Sequence, residues 1–188
     1  MSRLLILGAG QMQVPIIALA KELGHTTIVA DFDPNAPGFK YADITSTVST
    51  IDKDAVLQLA QSEKVDGILT TSDYPVRVVA YVSEKLGLPA MTQKVAEVCT
   101  NKYAQRVLFK ENGVNTPFFI KCDMDSDLSD LTSFPYIVKP VDSSASRGVE
   151  EVHNKQQLNE AVRVACSLSR SGNAIVESFI GYSLCGFG

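Results

Sequence analysis

The 188-residue sequence has an ordinary globular composition, with 45% hydrophobic and 20% charged residues, which suits one large domain or two small ones and not a disordered chain. Its net charge of -4 and isoelectric point near 5.2 argue against a nucleic-acid partner, because affinity for nucleic acid comes largely from basic residues. The longest apolar runs, such as Leu4–Leu7, are too short to span a bilayer, and no signal-peptide pattern precedes them, so we expect a cytoplasmic protein that does not bind membranes.

The first half of the chain alternates predicted strands and helices. Arg3–Gly8 is a continuous apolar run that ends in glycine, which is typical of a strand buried on both faces of a parallel sheet. A predicted helix at Gln11–Leu23 and a predicted strand at Thr26–Asp31 complete a first βαβ unit. The alternation continues with a helix near 52–63, a strand at 66–71 and a helix near 75–86. This order predicts a doubly wound α/β domain with a parallel sheet.

The pattern changes near Thr100, where we place a domain boundary. A predicted helix over Asn101–Asn112 is followed by strands near 117–121 and 136–139, with an acidic turn between them. A further strand near 149–152, a helix at 155–169 and a strand at 174–179 complete the second half. These elements predict a smaller α+β unit.

A glycine turn follows the first predicted strand and resembles part of a dinucleotide fingerprint. Gly8 and Gly10 occupy the first two glycine positions, and Asp31 ends the second strand, where an NAD enzyme places its ribose carboxylate. Gln13 stands at the third position, however, where a small residue is needed for close packing of helix on strand. An NAD-dependent oxidoreductase therefore stays open as the weaker alternative.

The strongest local signal for chemistry is the segment from Pro135 to Val149. A predicted strand brings Lys139 to its end and continues into a loop of small hydroxylated residues with one glycine. Backbone N–H groups, hydroxyls and an ammonium group in such an arrangement favour the binding of anionic oxygens. The order of residues differs from a Walker loop, because the lysine precedes the flexible loop. We interpret the segment as a phosphate site.

Four segments in sequence order resemble motifs of the ATP-grasp superfamily, as seen in biotin carboxylase, carbamoyl phosphate synthetase and the glycinamide ribonucleotide synthetases. Asn101–Arg106 resembles the N-K-x-x-x-R helix, and Gly113–Pro117 resembles the G-x-x-x-P turn. The Ile-Val-Lys-Pro segment that ends at Pro140 and the segment Ala174–Ile180 resemble the lysine strand and the E-x-[FY]-[IL] hinge. Because Lys102 and Arg106 lie four residues apart, they share one helical face, from which both can reach one anion.

The resemblance covers nearly the whole chain and implies its fold and organisation. It implies a Rossmann-like parallel sheet, the pre-ATP-grasp domain, over 1–92, followed by a helical connection over 93–112. An incomplete α+β ATP-grasp N-terminal subdomain then occupies 113–188.

The resemblance also implies an activity and the residues that bind ATP. The enzymes of this family form an acylphosphate from a carboxylate and ATP, and an amine then displaces the phosphate, so the expected partners are ATP and a small-molecule carboxylate. No catalytic residue is assigned. The residues expected to bind the phosphates of ATP are Lys102, Lys139, Asp142, Ser143, Ser144, Ser146, Arg147, Gly148 and Val149, and those expected to face the adenine are Glu177, Phe179 and Ile180.

Substrate residues are expected at the ends of strands in the first domain. Gly10 and Gln11 follow the first strand, and Ser72 and Asp73 follow the strand at 66–71. Ligands of open α/β sheets bind at the carboxyl ends of the strands, which is where these four residues fall. Gln11 and Asp73 are equally well explained as a helix-start residue and a helix cap.

The sequence departs from the family pattern after Ile180. Acidic residues usually follow the hinge, whereas Gly181–Gly188 contains none. We therefore expect a fragment that holds no metal site, binds ATP weakly and turns nothing over alone, with Mg²⁺ bound only when the C-terminal subdomain is present. A homodimer or a complementary C-terminal subunit is the expected protein partner. A non-catalytic nucleotide-binding or scaffold half of a split enzyme is the main alternative.

Overall fold

The computed structural model describes residues 1–181, and the chain divides into two compact units. The first unit comprises Met1–Thr100, and the second begins at Asn101. The predicted departure from the family pattern after Ile180 falls largely on residues 182–188, which lie outside the described residues.

The first unit is built on a four-stranded parallel sheet in the order β3-β2-β1-β4. Its central strand is buried on both faces, with Leu5 and Leu7 in one core and Ile6 in the other, as the continuous apolar run predicts. All four strands therefore end at the same edge. The strands are β1 (Arg3–Leu7), β2 (Thr26–Asp31), β3 (Ile44–Thr47) and β4 (Gly67–Thr70).

Helices cover both faces of this sheet. Ile17 and Ala20 of the first helix pack on the face that contains Ile6, whereas two later helices pack on the opposite face through residues such as Val56 and Val82. The Asp52 side chain accepts hydrogen bonds from the N–H groups of Asp54 and Ala55 and so caps the second helix. The helices are α1 (Val14–Glu22), α2 (Lys53–Ser62), α3 (Val76–Leu86) and α4 (Gln93–Cys99).

The second unit is built on a four-stranded antiparallel sheet in the order β5-β8-β6-β7. One face is covered by the longer of its two helices, whose Leu158 and Ala161 pack with Val138 and Val176 of the sheet. The elements of this unit are α5 (Lys102–Glu111), β5 (Phe119–Cys122), β6 (Tyr136–Pro140), β7 (Glu150–Val152), α6 (Lys155–Leu168) and β8 (Ala174–Ser178).

Side-chain alternation along β6 and β8 separates the two faces of this sheet. Val138 pairs with Val176 on the face that α6 covers. Successive residues of a strand point to opposite faces, so Lys139 and Glu177 both lie on the other face. The shorter helix, α5, contributes Tyr103, whose ring meets the ring of Phe119 edge to face at 5.8 Å. The alternation therefore places the two charged residues where α5 can contact them.

Two local features differ from the sequence-based expectation. The helix predicted from Gln11 begins as a 3-10 turn at Gln11–Gln13, and α1 starts only at Val14. The strand β3 was not predicted, because Ile44 is the only aliphatic residue in its four-residue sequence. Among residues 1–181, no helix is long and apolar enough to cross a membrane.

Candidate functional site

The predicted lysine of the phosphate site, Lys139, belongs to a charged cluster in the second unit that is centred on Glu177. Its ammonium group donates a hydrogen bond to Glu177 Oε2 at 2.5 Å. Register places Ile137 opposite Glu177, so Lys139 and Glu177 are diagonal neighbours on adjacent strands, within reach of long side chains. The strand pairing therefore brings together two residues that the sequence analysis had assigned separately to the phosphates and the adenine.

Arg106 of α5 contacts the same carboxylate. Its Nε lies 2.6 Å from Glu177 Oε1, although the N–H is not aligned with the oxygen as a hydrogen bond requires. The side chains of Glu177, Lys139 and Arg106 are only 6%, 15% and 22% exposed. Two cations thus share one anion, and the cluster carries a formal charge of +1. Such a buried surplus of positive charge favours an anionic ligand.

Lys102, at the start of α5, contacts the loop that follows β6. Its backbone N–H donates to the Val141 carbonyl at 2.7 Å, and its ammonium group donates to the Ser143 carbonyl at 2.5 Å. The Asn101 side chain caps the helix by accepting from the Ala104 N–H. Lys102 therefore contacts the Ser143 carbonyl, whereas Arg106, one helical turn further on, contacts Glu177.

Asp142 anchors the start of the loop to the turn after α6. Its carboxylate accepts hydrogen bonds from the Ser169 hydroxyl at 2.7 Å and from the N–H groups of Arg170 and Ser171 at 2.9 and 3.0 Å. Burial raises the pKa of Asp142, but the bonds from Ser169, Ser171 and Arg170 outweigh burial and hold the pKa below its ordinary value. The carboxylate is thus occupied by the turn after α6, and it fixes the base of the loop.

The remainder of the loop is more exposed and has an unusual backbone. Ser143 and Ser144 are half-buried, whereas Ser146, Arg147 and Val149 are exposed. Ala145 and Ser146 have φ angles of 58° and 55°, a conformation that is uncommon for residues with a side chain and that clusters at ligand-binding sites.

Gly148 is required where the loop returns to the sheet. It also adopts a positive φ, and a Cβ atom added there would lie 2.8 Å from Leu168 Cδ1. The loop is therefore held at both ends and open in the middle.

The predicted adenine residues lie just beyond β8. The Phe179 N–H donates to the Pro135 carbonyl at 3.2 Å, which fixes the backbone at this point. The Phe179 side chain is half-buried, whereas 63% of Ile180 is exposed. An exposed aliphatic side chain at this point suits contact with the flat face of an aromatic ring such as a nucleobase.

The first unit contains a cavity of about 320 Å³ at the carboxyl ends of its strands. Two of the predicted substrate residues, Gly10 and Ser72, line this cavity, whereas Gln11 and Asp73 are not among its lining residues. The position agrees with the general rule for ligands of open α/β sheets.

Asp31, the residue on which the NAD alternative depends, accepts hydrogen bonds from the backbone of two turns. One carboxylate oxygen accepts from the Ala9 N–H at 2.7 Å, and the other accepts from the Asp33 N–H at 3.0 Å. Gln13 closes the same turn, because its amide donates to the Thr71 hydroxyl at 3.2 Å and its side chain lies against Gly8. The glycine turn is therefore stabilised by internal hydrogen bonds, and one of their acceptors is Asp31, the carboxylate that an NAD enzyme would use to bind ribose.

The described residues do not suit a magnesium ion. Residues 1–181 contain no group of three or more His, Cys, Asp or Glu side chains placed to hold a metal. The carboxylate within the charged cluster, Glu177, contacts two cations, and the carboxylate at the base of the loop, Asp142, accepts hydrogen bonds from the turn after α6. No metal-dependent step is therefore assigned to this part of the chain.

Sequence reasoning missed the pairing of Arg106 with Glu177. The signal available was the spacing of Lys102 and Arg106 on one face of α5, which showed that both face the same side but not which acceptor each contacts. The acceptors depend on how α5 packs on the sheet, which no local pattern states.

Two family models together match most of the chain. Residues 4–91 match the model described as "PylC-like, N-terminal domain", and residues 108–184 match the model described as "D-ala D-ala ligase C-terminus".

Relatives of known name match both units at once. The chain is 27% identical over 187 residues to the formate-dependent phosphoribosylglycinamide formyltransferase of Methanocaldococcus jannaschii, covering 96% of this chain and 48% of that protein. A relative from Burkholderia pseudomallei with the same name is also 27% identical, with 96% and 47% coverage. The chain therefore spans about half the length of the curated relatives that it matches.

Solved structures are likewise matched over almost the whole of this chain and about half of their own length. The L-amino acid ligase of Bacillus licheniformis superposes with a TM-score of 0.75 at 27% identity, covering 96% of this chain and 44% of that one. The N5-carboxyaminoimidazole ribonucleotide synthetase of Thermotoga maritima gives a TM-score of 0.72, with 96% and 46% coverage, and at 22% identity it supports the fold alone.

Proposed function

Because this chain belongs to the ATP-grasp superfamily of ligases, we propose that its second unit binds the phosphates and the adenine of ATP for an ATP-dependent ligase that forms C–N bonds. The observation that carries the proposal is the buried surplus of positive charge, in which Lys139 and Arg106 share the single carboxylate of Glu177. This cluster lies on the face of the sheet opposite α6, beside the loop that follows β6. A polyphosphate supplies the missing negative charge.

The residues in and around the loop after β6 have different roles in this site. Lys139 binds a phosphate oxygen directly, and Lys102 holds the loop in place through the Ser143 carbonyl and adds a second positive charge. Asp142 acts as an anchor and not as a phosphate ligand, because its oxygens accept from the turn after α6. The open part of the loop, which contains Ser144, Ser146 and Arg147, covers the phosphates with its hydroxyls and N–H groups, and Gly148 and Val149 supply N–H groups where the loop returns to the sheet.

The adenine is proposed to bind at the end of β8. Phe179 and Ile180 supply apolar contact, and the backbone there supplies hydrogen bonds to the base. The Glu177 carboxylate does not contact the base in this arrangement, because both of its oxygens contact cations.

The chemistry proposed for the whole protein is the activation of a carboxylate. A carboxylate oxygen attacks the γ-phosphorus of ATP and ADP leaves, and an amine then displaces phosphate from the acylphosphate to give an amide bond. Such transfers depend on positioning and on neutralising the charge that develops on the phosphoryl oxygens. Lys102 and Lys139 supply part of the positive charge that neutralises those oxygens. The substrate is proposed to use the cavity of the first unit at Gly10 and Ser72.

Parallel titrations with ATP and NAD test the proposal. We expect the wild-type chain to bind ATP in calorimetry and Lys139→Ala to weaken that binding by at least about tenfold, because a charge-assisted hydrogen bond contributes about 1.5–3 kcal/mol. Lys94→Ala, which removes an exposed lysine of the first unit, is the matched control and leaves the affinity unchanged. Binding of NAD that is insensitive to Lys139→Ala, without binding of ATP, would refute the proposal.

A further inference from the structure

The charged cluster joins three elements of the second unit at one carboxylate. Arg106 comes from α5, Lys139 from β6 and Glu177 from β8, and the contacts are 2.6 Å and 2.5 Å long. Glu177 is the most buried of the three, with a side chain that is 6% exposed. Whatever binds to Lys139 must therefore alter the surroundings of Glu177.

The two contacts of Glu177 are not equivalent. Lys139 makes a hydrogen bond, whereas Arg106 Nε approaches the other oxygen without hydrogen-bond alignment. A compact ammonium group on a flexible stem reorients easily, whereas a planar guanidinium reorients less freely. Lys139 is also the penultimate residue of β6, next to the loop, whereas Arg106 lies in the middle of α5. Lys139 is therefore the partner of Glu177 that is able to leave.

We infer that the Glu177 carboxylate competes with the nucleotide for Lys139, holding the ammonium group in the ligand-free chain and releasing it to a phosphate oxygen when ATP binds. The inference rests on the proposed function of the site. Glu177 Oε2 and a phosphate oxygen are thus alternative acceptors for the same ammonium group. The affinity of the site for polyphosphate is then set by this exchange as well as by direct contact.

Arg106 lowers the free-energy cost of moving Lys139 away from Glu177. A carboxylate as buried as Glu177 is strongly unfavourable without a partner, because removing one member of a buried ion pair leaves an uncompensated charge. When Lys139 turns to a phosphate, Arg106 stays beside Glu177 Oε1 and continues to neutralise it. Arg106 is therefore a positioning residue, since it affects ATP through Glu177 without touching the nucleotide.

Two substitutions in the same cluster should change the affinity for tripolyphosphate in opposite directions. Glu177→Gln removes the competitor, so inorganic tripolyphosphate should bind about tenfold more tightly, because one nearby negative charge is lost from a partly buried site. Arg106→Met leaves Glu177 with Lys139 alone, so tripolyphosphate should bind about tenfold more weakly. If Glu177 only positioned Lys139 for the phosphate, Glu177→Gln would weaken binding instead.

The experiment measures tripolyphosphate and adenosine binding to the full chain by calorimetry, and the rise in melting temperature that tripolyphosphate causes. Glu150→Gln is the matched control, because it removes an exposed carboxylate from β7 of the same unit, where Glu150 pairs with Val138. We expect Glu150→Gln to change tripolyphosphate affinity by less than about twofold, since exposed charges are screened. Adenosine affinity should not change in any variant.

Tighter tripolyphosphate binding in Glu177→Gln, with a larger stabilisation by the ligand than in the wild type, supports the inference. Unchanged or weaker binding overturns it. If Glu177→Gln does not fold, Arg106→Met decides, and wild-type affinity in that variant overturns the inference. If the wild-type chain binds neither ATP nor tripolyphosphate, the proposed function is wrong. If the wild-type chain binds both, and Glu177→Gln binds tripolyphosphate with the same affinity as the wild type, only the competition is wrong.

Discussion

The two units of the chain each contain a buried carboxylate near a predicted ligand site, but the two carboxylates have different partners. Asp31 in the first unit accepts hydrogen bonds from the Ala9 and Asp33 N–H groups, so its partners are neutral backbone groups of the turns after β1 and β2. Glu177 in the second unit contacts two cationic side chains from other elements. The first arrangement closes a turn, whereas the second leaves positive charge over for a ligand.

This difference shows why a glycine-rich turn is weaker evidence for nucleotide binding than a surplus of charge. The turn at Gly8 and Gly10 resembles a dinucleotide fingerprint, but its acidic residue and Gln13 are engaged in internal hydrogen bonds. The loop after β6 matches no Walker pattern, yet it lies beside Lys139 and is held by Lys102. The predictions below test whether the two carboxylates differ as this comparison states.

The largest expected effect is the loss of stability on removing Glu177. Glu177→Ala leaves Lys139 and Arg106 together and uncompensated, so the second unit should lose about 3–5 kcal/mol of unfolding free energy. Hydrogen exchange measured by mass spectrometry reports each unit separately, and protection should fall in the peptides of β6 and β8. Glu151→Ala, at a less buried carboxylate of β7, is the control. Equal loss of protection in both variants would argue against a special role for Glu177.

A smaller effect is expected at the matching carboxylate of the first unit. Asp31→Ala leaves the Ala9 and Asp33 N–H groups without their acceptor, which should cost about 2–3 kcal/mol of stability in that unit. ATP affinity should stay at the wild-type value, because the turn does not bind the nucleotide. Asp73→Ala, an exposed residue near the same edge, should change neither quantity. Loss of ATP binding in Asp31→Ala alone would contradict the comparison.

Gly38 tests the packing that holds the glycine turn of the first unit. A Cβ atom at this position would lie 2.7 Å from Ile17 Cδ1 and 2.8 Å from the Ala9 carbonyl oxygen, and the backbone cannot yield easily. Gly38→Ala should therefore destabilise the first unit by about 1–3 kcal/mol in chemical denaturation. At Gly67 the nearest atom is the flexible end of Leu4 at 3.1 Å, so Gly67→Ala should cost less. The reverse order would show that the turn tolerates the extra methyl group.

The smallest expected effect is a pH dependence in the first unit. The ion pair with Lys21 at 2.7 Å and a hydrogen bond from the Thr27 N–H lower the pKa of Asp43 from 3.8 to about 2. Because the folded-state pKa is the lower one, this stabilisation is complete above pH 3.8 and is lost as the pH falls toward 2. It should amount to about 1 kcal/mol, since the pair is exposed and screened.

The loss of stability between pH 4 and pH 2 should be smaller in Asp43→Asn than in the wild type, as thermal unfolding over that range can show. In the second unit, the pKa of Asp142 is lowered as well, so its contribution also disappears toward acid pH. Asp43→Asn should leave that part of the acid response intact. Identical profiles for the variant and the wild type would exclude a contribution from Asp43.

The sequence alone was sufficient for much of the fold. Continuous apolar runs such as Leu4–Leu7 and the alternation of strands and helices along the first half are local signals, and the structure contains β1, α2 and α3 as they predict. β3 was missed because a strand of Ile44 followed by threonine and serine gives no hydrophobic alternation. Its place in the sheet comes from pairing with β2, which is a tertiary contact.

The site was less accessible to sequence reasoning for the same physical reason. Lys102, Lys139 and Glu177 were selected one motif at a time, but which of them touch each other depends on the register of β6 and β8 and on the packing of α5. Asp142 illustrates the limit, because a loop carboxylate near a phosphate site and an anchor to a distant turn have the same local sequence. The contacts that distinguish these two roles of Asp142 are formed only in the folded chain.

Mapping the ATP site by backbone amide chemical shifts is the most direct test of the central claim, that nucleotide binds to the charged cluster of the second unit. The spectrum of the labelled chain would be recorded during titration with ATP. We predict shifts in the amides of 139–149 and 177–180, with those of Gly8–Gln13 unchanged. Shifts confined to Gly8–Gln13 and Asp31, with the second unit unaffected, would contradict the account.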